Sequence, residues 1–114
     1  MTQLTQNDPN GIDQHAPGAK MDAGKTDVGL LFESFPNALM GVAMVATFGA
    51  NKYTRNGWKE VPQGRQRYAA AEGRHKLERY KGFINDDESG LPHQFHEVWN
   101  ALAQLELWYT GKGE

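Results

Sequence analysis

The residues of this chain best suited to chemistry lie between Arg74 and Asn100, in RHKLERYKGFINDDESGLPHQFHEVWN. His93 and His96 are three positions apart and Asn100 follows four later, so on a helix all three share one face. An acidic turn, Asp86-Asp87-Glu88, precedes them, and His75 sits earlier on what reads as a separate helix. Imidazoles, carboxylates and an amide gathered from two helices and a loop can bind a metal ion or a phosphorylated ligand. The competing reading is a helix surface with a few histidines beside a solvated acidic loop. A single helical histidine such as His75 is more often a hydrogen-bonded interior residue, and the later histidines are what raise the ligand reading.

Several chemistries are excluded. The chain has no cysteine, which removes disulfides, thiolate catalysis and thiolate metal sites. H-x-x-H is a weak signal by itself, and the zincin order H-E-x-x-H is absent because Glu97 follows the second histidine. No Gly-x-Ser-x-Gly, P-loop or Gly-x-Gly-x-x-Gly occurs, so acyl-serine, Walker-type and dinucleotide readings lack support. What remains is metal-assisted hydrolysis or simple ligand binding. Carboxylates from the turn can hold Mg²⁺ or Mn²⁺ while lysine and arginine neutralise phosphate.

The elements that must position these groups read as helices. At 114 residues the chain is one domain, and its net charge of -2 gives no general nucleic-acid signature. Residues 1–24 are polar and rich in turn formers, which predicts a flexible arm; residues 25–110 form the domain, and 111–114 a frayed tail. A first helix is expected from Pro36, suited to a first turn, to Phe48, with Gly49 as its stop. Its apolar side chains fall nearly all round, which predicts burial on more than one side and hence a homo-oligomer; a central helix in a monomer is the alternative. Asn51 to Gly64 is a cationic loop (Lys52, Arg55, Lys59) in which Trp58 anchors the chain back onto the helices.

A second helix from Arg65 to Lys81 places Tyr68, Ala71, His75 and Glu78 on one face, with Glu72 and Lys76 as a weak surface pair. A third runs from Pro92 to Tyr109, with Ser89 as its cap. Phe95, Val98, Trp99, Leu102 and Leu105 form its apolar stripe, and His93, His96, Glu97, Asn100 and Gln104 lie on another face. No strand alternation appears. The expected class is all-α, with about three main helices, an extended N-terminal arm and completion by oligomerisation. The start lacks a basic region and an apolar run, and Ala38 to Ala50 is too short to cross a bilayer, so a soluble cytoplasmic protein is expected, without membrane or nucleic-acid partners.

Three segments together carry a resemblance: GKTDVGLLFESFPNALMGVAMVATFGANKYTRNGW, RYAAAEGRHKLERYKGF and DDESGLPHQFHEVWNALAQLEL. The matching positions are Lys25 and Asp27; Gly49, Ala50, Lys52, Tyr53, Asn56 and Trp58; Arg74 and His75; and Asp86 or Asp87, Glu88, His93, His96 and Asn100. This pattern resembles the phage and bacterial dATP/dGTP diphosphohydrolase N-terminal domain family, often described as MazG-like, over Gly24 to Leu107. The resemblance implies hydrolysis of a purine deoxynucleoside triphosphate to monophosphate and pyrophosphate, with Mg²⁺ or Mn²⁺, in the host cytoplasm if phage-encoded. It implies His75 and His96 in catalysis and Asp86, Asp87, Glu88 and His93 at the metal. Lys25, Lys52, Tyr53, Trp58, Arg74 and Asn100 would meet the substrate. The glutamate motif E-E-x-x-E of MazG enzymes, with its later E-x-x-D, is absent. A non-catalytic nucleotide-binding or host-interaction protein on the same scaffold is therefore the alternative.

Overall fold

A computed structural model describes residues 8–114. The described residues are all-helical, with four α-helices and no strand, and the chain divides into two compact units that meet between Ser34 and Phe35. No helix among the described residues is long and apolar enough to cross a membrane.

In the first unit, residues 8–28 form turns, while residues 1–7 of the expected arm lie outside the described residues. Asp8 is buried and its carboxylate accepts the Asn10 and Lys20 N–H groups, each at 2.7 Å. The unit ends in a short helix that the sequence reading did not include, α1 (Gly29–Ser34). The Asp27 carboxylate accepts the Gly29 N–H at 3.0 Å and so starts it.

The second unit contains α2 (Pro36–Lys52), a 3₁₀ turn (Gly57–Glu60), α3 (Gly64–Tyr80) and α4 (His93–Tyr109). Pro36 opens α2, with Phe35 at the cap. Gly49 does not stop it. The helix continues to Lys52, and the Tyr53 N–H donates to the Gly49 carbonyl at 2.9 Å. A glycine inside a helix costs only about 1 kcal/mol, which neighbours such as Ala46 and Ala50 help offset.

Trp58 does anchor its loop. Its ring meets Tyr68 and Trp99 edge-on at 6.1 and 5.5 Å, and the Tyr68 hydroxyl donates to the Trp58 carbonyl at 2.7 Å.

Both long helices of the C-terminal half end on a left-handed glycine. After α3, Gly82 (φ 99) lets the Phe83 N–H reach the Glu78 carbonyl; after α4, Gly111 (φ 72) lets the Lys112 N–H reach the Leu107 carbonyl. The tail expected to fray is tied down as a result. The Arg65 N–H donates to the Gly113 carbonyl at 3.0 Å and Arg65 Nε to the Lys112 carbonyl at 2.8 Å.

α4 packs against both α3 and α2. The face it buries is the unexpected one: His93, His96, Glu97, Asn100, Ala103 and Leu107. Val98, Leu102 and Leu105 of the apolar stripe are exposed, as are Trp108 beyond it and Met40 and Met44 on α2. The polar face goes inward because α3 supplies its partners. Gln104 donates to Glu72 at 2.7 Å, and Arg79 grips Glu97 through two bonds of 2.8 and 2.9 Å. Glu72 therefore bonds across the helices, where the sequence reading paired it with Lys76.

Gly41 sets the approach of α2 to α4. A Cβ there would lie 2.8 Å from three atoms of the Phe95 ring. Gly41→Ala is expected to lower stability by about 1–3 kcal/mol through overpacking, read by urea denaturation. An unchanged midpoint would mean that this contact does not set the helix spacing.

Candidate functional site

The loop between α3 and α4 is the scaffold of the site. An antiparallel bridge joins Asn85 to Pro92, the Asp86 N–H donates to the Leu91 carbonyl, and the His93 N–H donates to the Ile84 carbonyl, both at 2.8 Å. These bonds fix the start of α4 relative to the loop. Within the loop, the Ser89 N–H donates to Asp86 Oδ2 at 2.8 Å and the Leu91 N–H to Ser89 Oγ at 3.1 Å. The Asp86 carboxylate is thereby held beside the first turn of α4. Ser89 was expected to cap that helix; Pro92 occupies the cap and Ser89 serves the loop and His96 instead.

Three imidazoles meet this carboxylate. His75 comes from α3, and its Nδ1 lies 2.8 Å from Nδ1 of His93, so one ring carries the proton and the other offers its lone pair. His96, one turn along α4, stacks on His75 with centroids 4.4 Å apart and planes 8° from parallel. Its Nε2 is 2.7 Å from the Ser89 hydroxyl and 3.9 Å from Asp86 Oδ2. Phe48 of α2 closes the other side, edge-on to His96 at 6.4 Å.

Burial pushes the His75 imidazole below its ordinary range, and the neighbouring His96 adds to this. Burial also lowers His96, partly opposed by Asp86. For Asp86, burial alone would raise the carboxyl, but the Ser89 N–H and hydroxyl and the nearby imidazoles outweigh it and hold it low. Burial thus disfavours charge on the His75 and His96 rings, while the Asp86 carboxylate is held in its ionised form. That is the donor chemistry a cation requires, and ring nitrogens of His75 and His93 with an Asp86 oxygen all lie within 4.8 Å of one another.

The structure brings together four of the residues singled out from sequence: His75, Asp86, His93 and His96. Asp87 and Glu88 are exposed, and Glu88 pairs with Lys52 from the end of α2. Arg74 is exposed next to His75, and Tyr53 is 73% exposed with Lys52 Nζ 5.0 Å from its ring centre. Asn100 is buried and donates to the His96 carbonyl at 2.8 Å, while Trp58 is engaged in its aromatic cluster. Lys25 is an exposed residue of the first unit, its N–H donating to the Asp22 carbonyl.

Sequence reasoning missed Ser89 as a partner of His96 and the pair Arg79–Glu97, whose only sequence signal is a lone acid on a face of α4 and a lone base on α3. A depression of about 90 Å³ between Lys59, Glu106, Leu107 and Lys112 lies toward the far end of α4 and is too small for a nucleotide.

The Arg79–Glu97 pair has a pH signature. The Arg79 hydrogen bonds hold the Glu97 carboxyl below its ordinary value of 4.5, against the opposing effect of burial. A depressed folded-state value contributes stability that is present above 4.5 and lost as pH falls through the lower folded value. Glu97→Gln is therefore expected to lower the melting temperature at pH 7 by several degrees and to flatten its decline below 4.5. An acid limb of unchanged slope would contradict this.

Residues 15–114 match a protein family described as dATP/dGTP diphosphohydrolase, N-terminal. Comparisons with curated proteins and with solved structures find no match.

Proposed function

The chain belongs to the dATP/dGTP diphosphohydrolase N-terminal family, and from that premise we propose that it hydrolyses a purine deoxynucleoside triphosphate to monophosphate and pyrophosphate. The observation that carries the proposal is the convergence of His75, Asp86, His93 and His96 from α3, the loop and α4. His75, His93 and Asp86 fit a divalent cation, because two ring nitrogens and one carboxylate supply the charge and lone pairs it needs. When bound, such an ion neutralises phosphate oxygens and makes a water molecule more acidic. His96, kept neutral by burial, is the proton acceptor, and the Ser89 hydroxyl at 2.7 Å orients its ring.

Arg74 and Lys52 are the phosphate contacts, with Lys52 exchanging Glu88 for the nucleotide. The exposed Tyr53 ring offers a stacking surface for the base. Further copies of the chain, forming the homo-oligomer expected from sequence, would cover the apolar faces of α2 and α4; light scattering on the purified protein measures this.

A second reading, nucleotide binding without cleavage, is favoured by the absence of the E-E-x-x-E motif. Thermal melting with a panel of nucleotides, with and without Mn²⁺, followed by chromatography of each mixture, separates the two. A metal-dependent shift with a monophosphate product supports hydrolysis. A shift with intact nucleotide supports binding, and no shift with any nucleotide removes both.

A further inference from the structure

We infer that His75, His93 and Asp86 form a nitrogen-rich site selective for a transition ion of the Mn²⁺ to Zn²⁺ series over Mg²⁺. The inference rests on the metal-dependent reading above and names the class of ion that site takes. Ring nitrogens of His75 and His93 and an Asp86 oxygen lie within 4.8 Å of one another. The two Nδ1 atoms share a hydrogen bond at 2.8 Å, so an ion bound by both rings would displace that proton, as metal binding to imidazole does generally. The Ser89 N–H holds the Asp86 carboxylate beside the two rings. The stacked His96 ring fixes the plane of His75, as metal-binding imidazoles require.

The choice of ion follows from the donors. Mg²⁺ prefers oxygen ligands and retains its waters, whereas imidazole suits Fe, Ni, Cu and Zn, and affinity rises along the first-row series. The further oxygens that would favour Mg²⁺ are not turned to the site: Asp87 and Glu88 are exposed, and Glu88 is paired with Lys52. Only one of the three clustered donors is an oxygen.

Co²⁺ is the probe, because its d–d absorption reports directly on nitrogen ligation. Titrated into the chelator-treated full chain, it is expected to bind one per chain, to yield to Zn²⁺, and to resist a roughly 100-fold excess of Mg²⁺. His93→Ala and Asp86→Asn should each weaken binding by about 10-fold or more with helicity retained, while Glu106→Gln, at an exposed carboxylate toward the far end of α4, leaves it unchanged. Should His93→Ala fold poorly, Asp86→Asn in the half-buried loop carries the test. Displacement by equimolar Mg²⁺, or an unchanged spectrum in the folded variants, would overturn the inference. Nucleotide cleavage measured in parallel keeps the two ideas apart. Co²⁺ binding without cleavage leaves the site standing and removes the hydrolase reading; cleavage with Mg²⁺ and no Co²⁺ site does the reverse.

Discussion

His75→Ala is expected to lower turnover of a purine deoxynucleoside triphosphate by about 100-fold or more while the protein stays folded. The effect is large because one ring serves two neighbours. Its Nδ1 faces Nδ1 of His93 at 2.8 Å, and its plane supports His96 at 4.4 Å. Deleting it removes one donor from the proposed cation site and releases the ring proposed as proton acceptor. The structural cost is smaller. His75 is half-buried, and losing one hydrogen bond between side chains costs about 1 kcal/mol, which far-UV dichroism and melting will register separately from turnover. Arg74→Ala provides the contrast. Loss of this exposed, proposed phosphate contact is expected to raise KM more than it lowers kcat. Equal turnover in His75→Ala and wild type would place the chemistry elsewhere.

The largest effect on stability is expected at the opposite end of α4. Leu107 is 1% exposed, and its side chain fills the space beside Gly64 and Gly113, where an added Cβ would lie 3.0 Å from Leu107 Cδ1 at both positions. It thus joins the start of α3, the end of α4 and the returning tail. Leu107→Ala is expected to cost about 2–5 kcal/mol, lost transfer energy plus the cavity left behind. Val45 and Ala103 are the other buried hydrophobic side chains among the residues described, so this is a large share of a total near 5–15 kcal/mol. The melting temperature should fall by on the order of 10 °C or more. Leu107→Met, which conserves volume, should cost less than about 1.5 kcal/mol. Similar melting of the alanine variant and wild type would show that this end of the unit does not limit stability.

The long helices were legible because glycine, proline and a 3.6-residue period mark them plainly, and α3 and α4 lie within a residue of the expected bounds. The inward face of α4 was not legible. Its apolar stripe, Val98, Leu102 and Leu105, pointed to an inward face, yet those residues are exposed, because periodicity within one helix does not say which side its neighbours take. Its polar face is buried because Arg79, Glu72 and His75 wait on α3, complementarity that becomes visible only once both helices are placed.

The site followed the same pattern. Histidine spacing marked His75, His93 and His96, and the acidic turn marked Asp86. Which carboxylate of that turn faces the histidines was decided by the bridge between Asn85 and Pro92 and by the Ser89 bonds, loop geometry that composition does not encode. Asn100 shared the histidine face as its spacing predicts, and sharing that face is what buried it.

The most direct measurement is phosphorus NMR of dGTP and dATP incubated with the purified chain and Mn²⁺, before and after chelation, alongside His75→Ala. The proposed function predicts pyrophosphate and the nucleoside monophosphate as the products, formed by wild type, stopped by the chelator and nearly absent in the variant. Intact triphosphate under every condition, or the same products from His75→Ala at the wild-type rate, would contradict it.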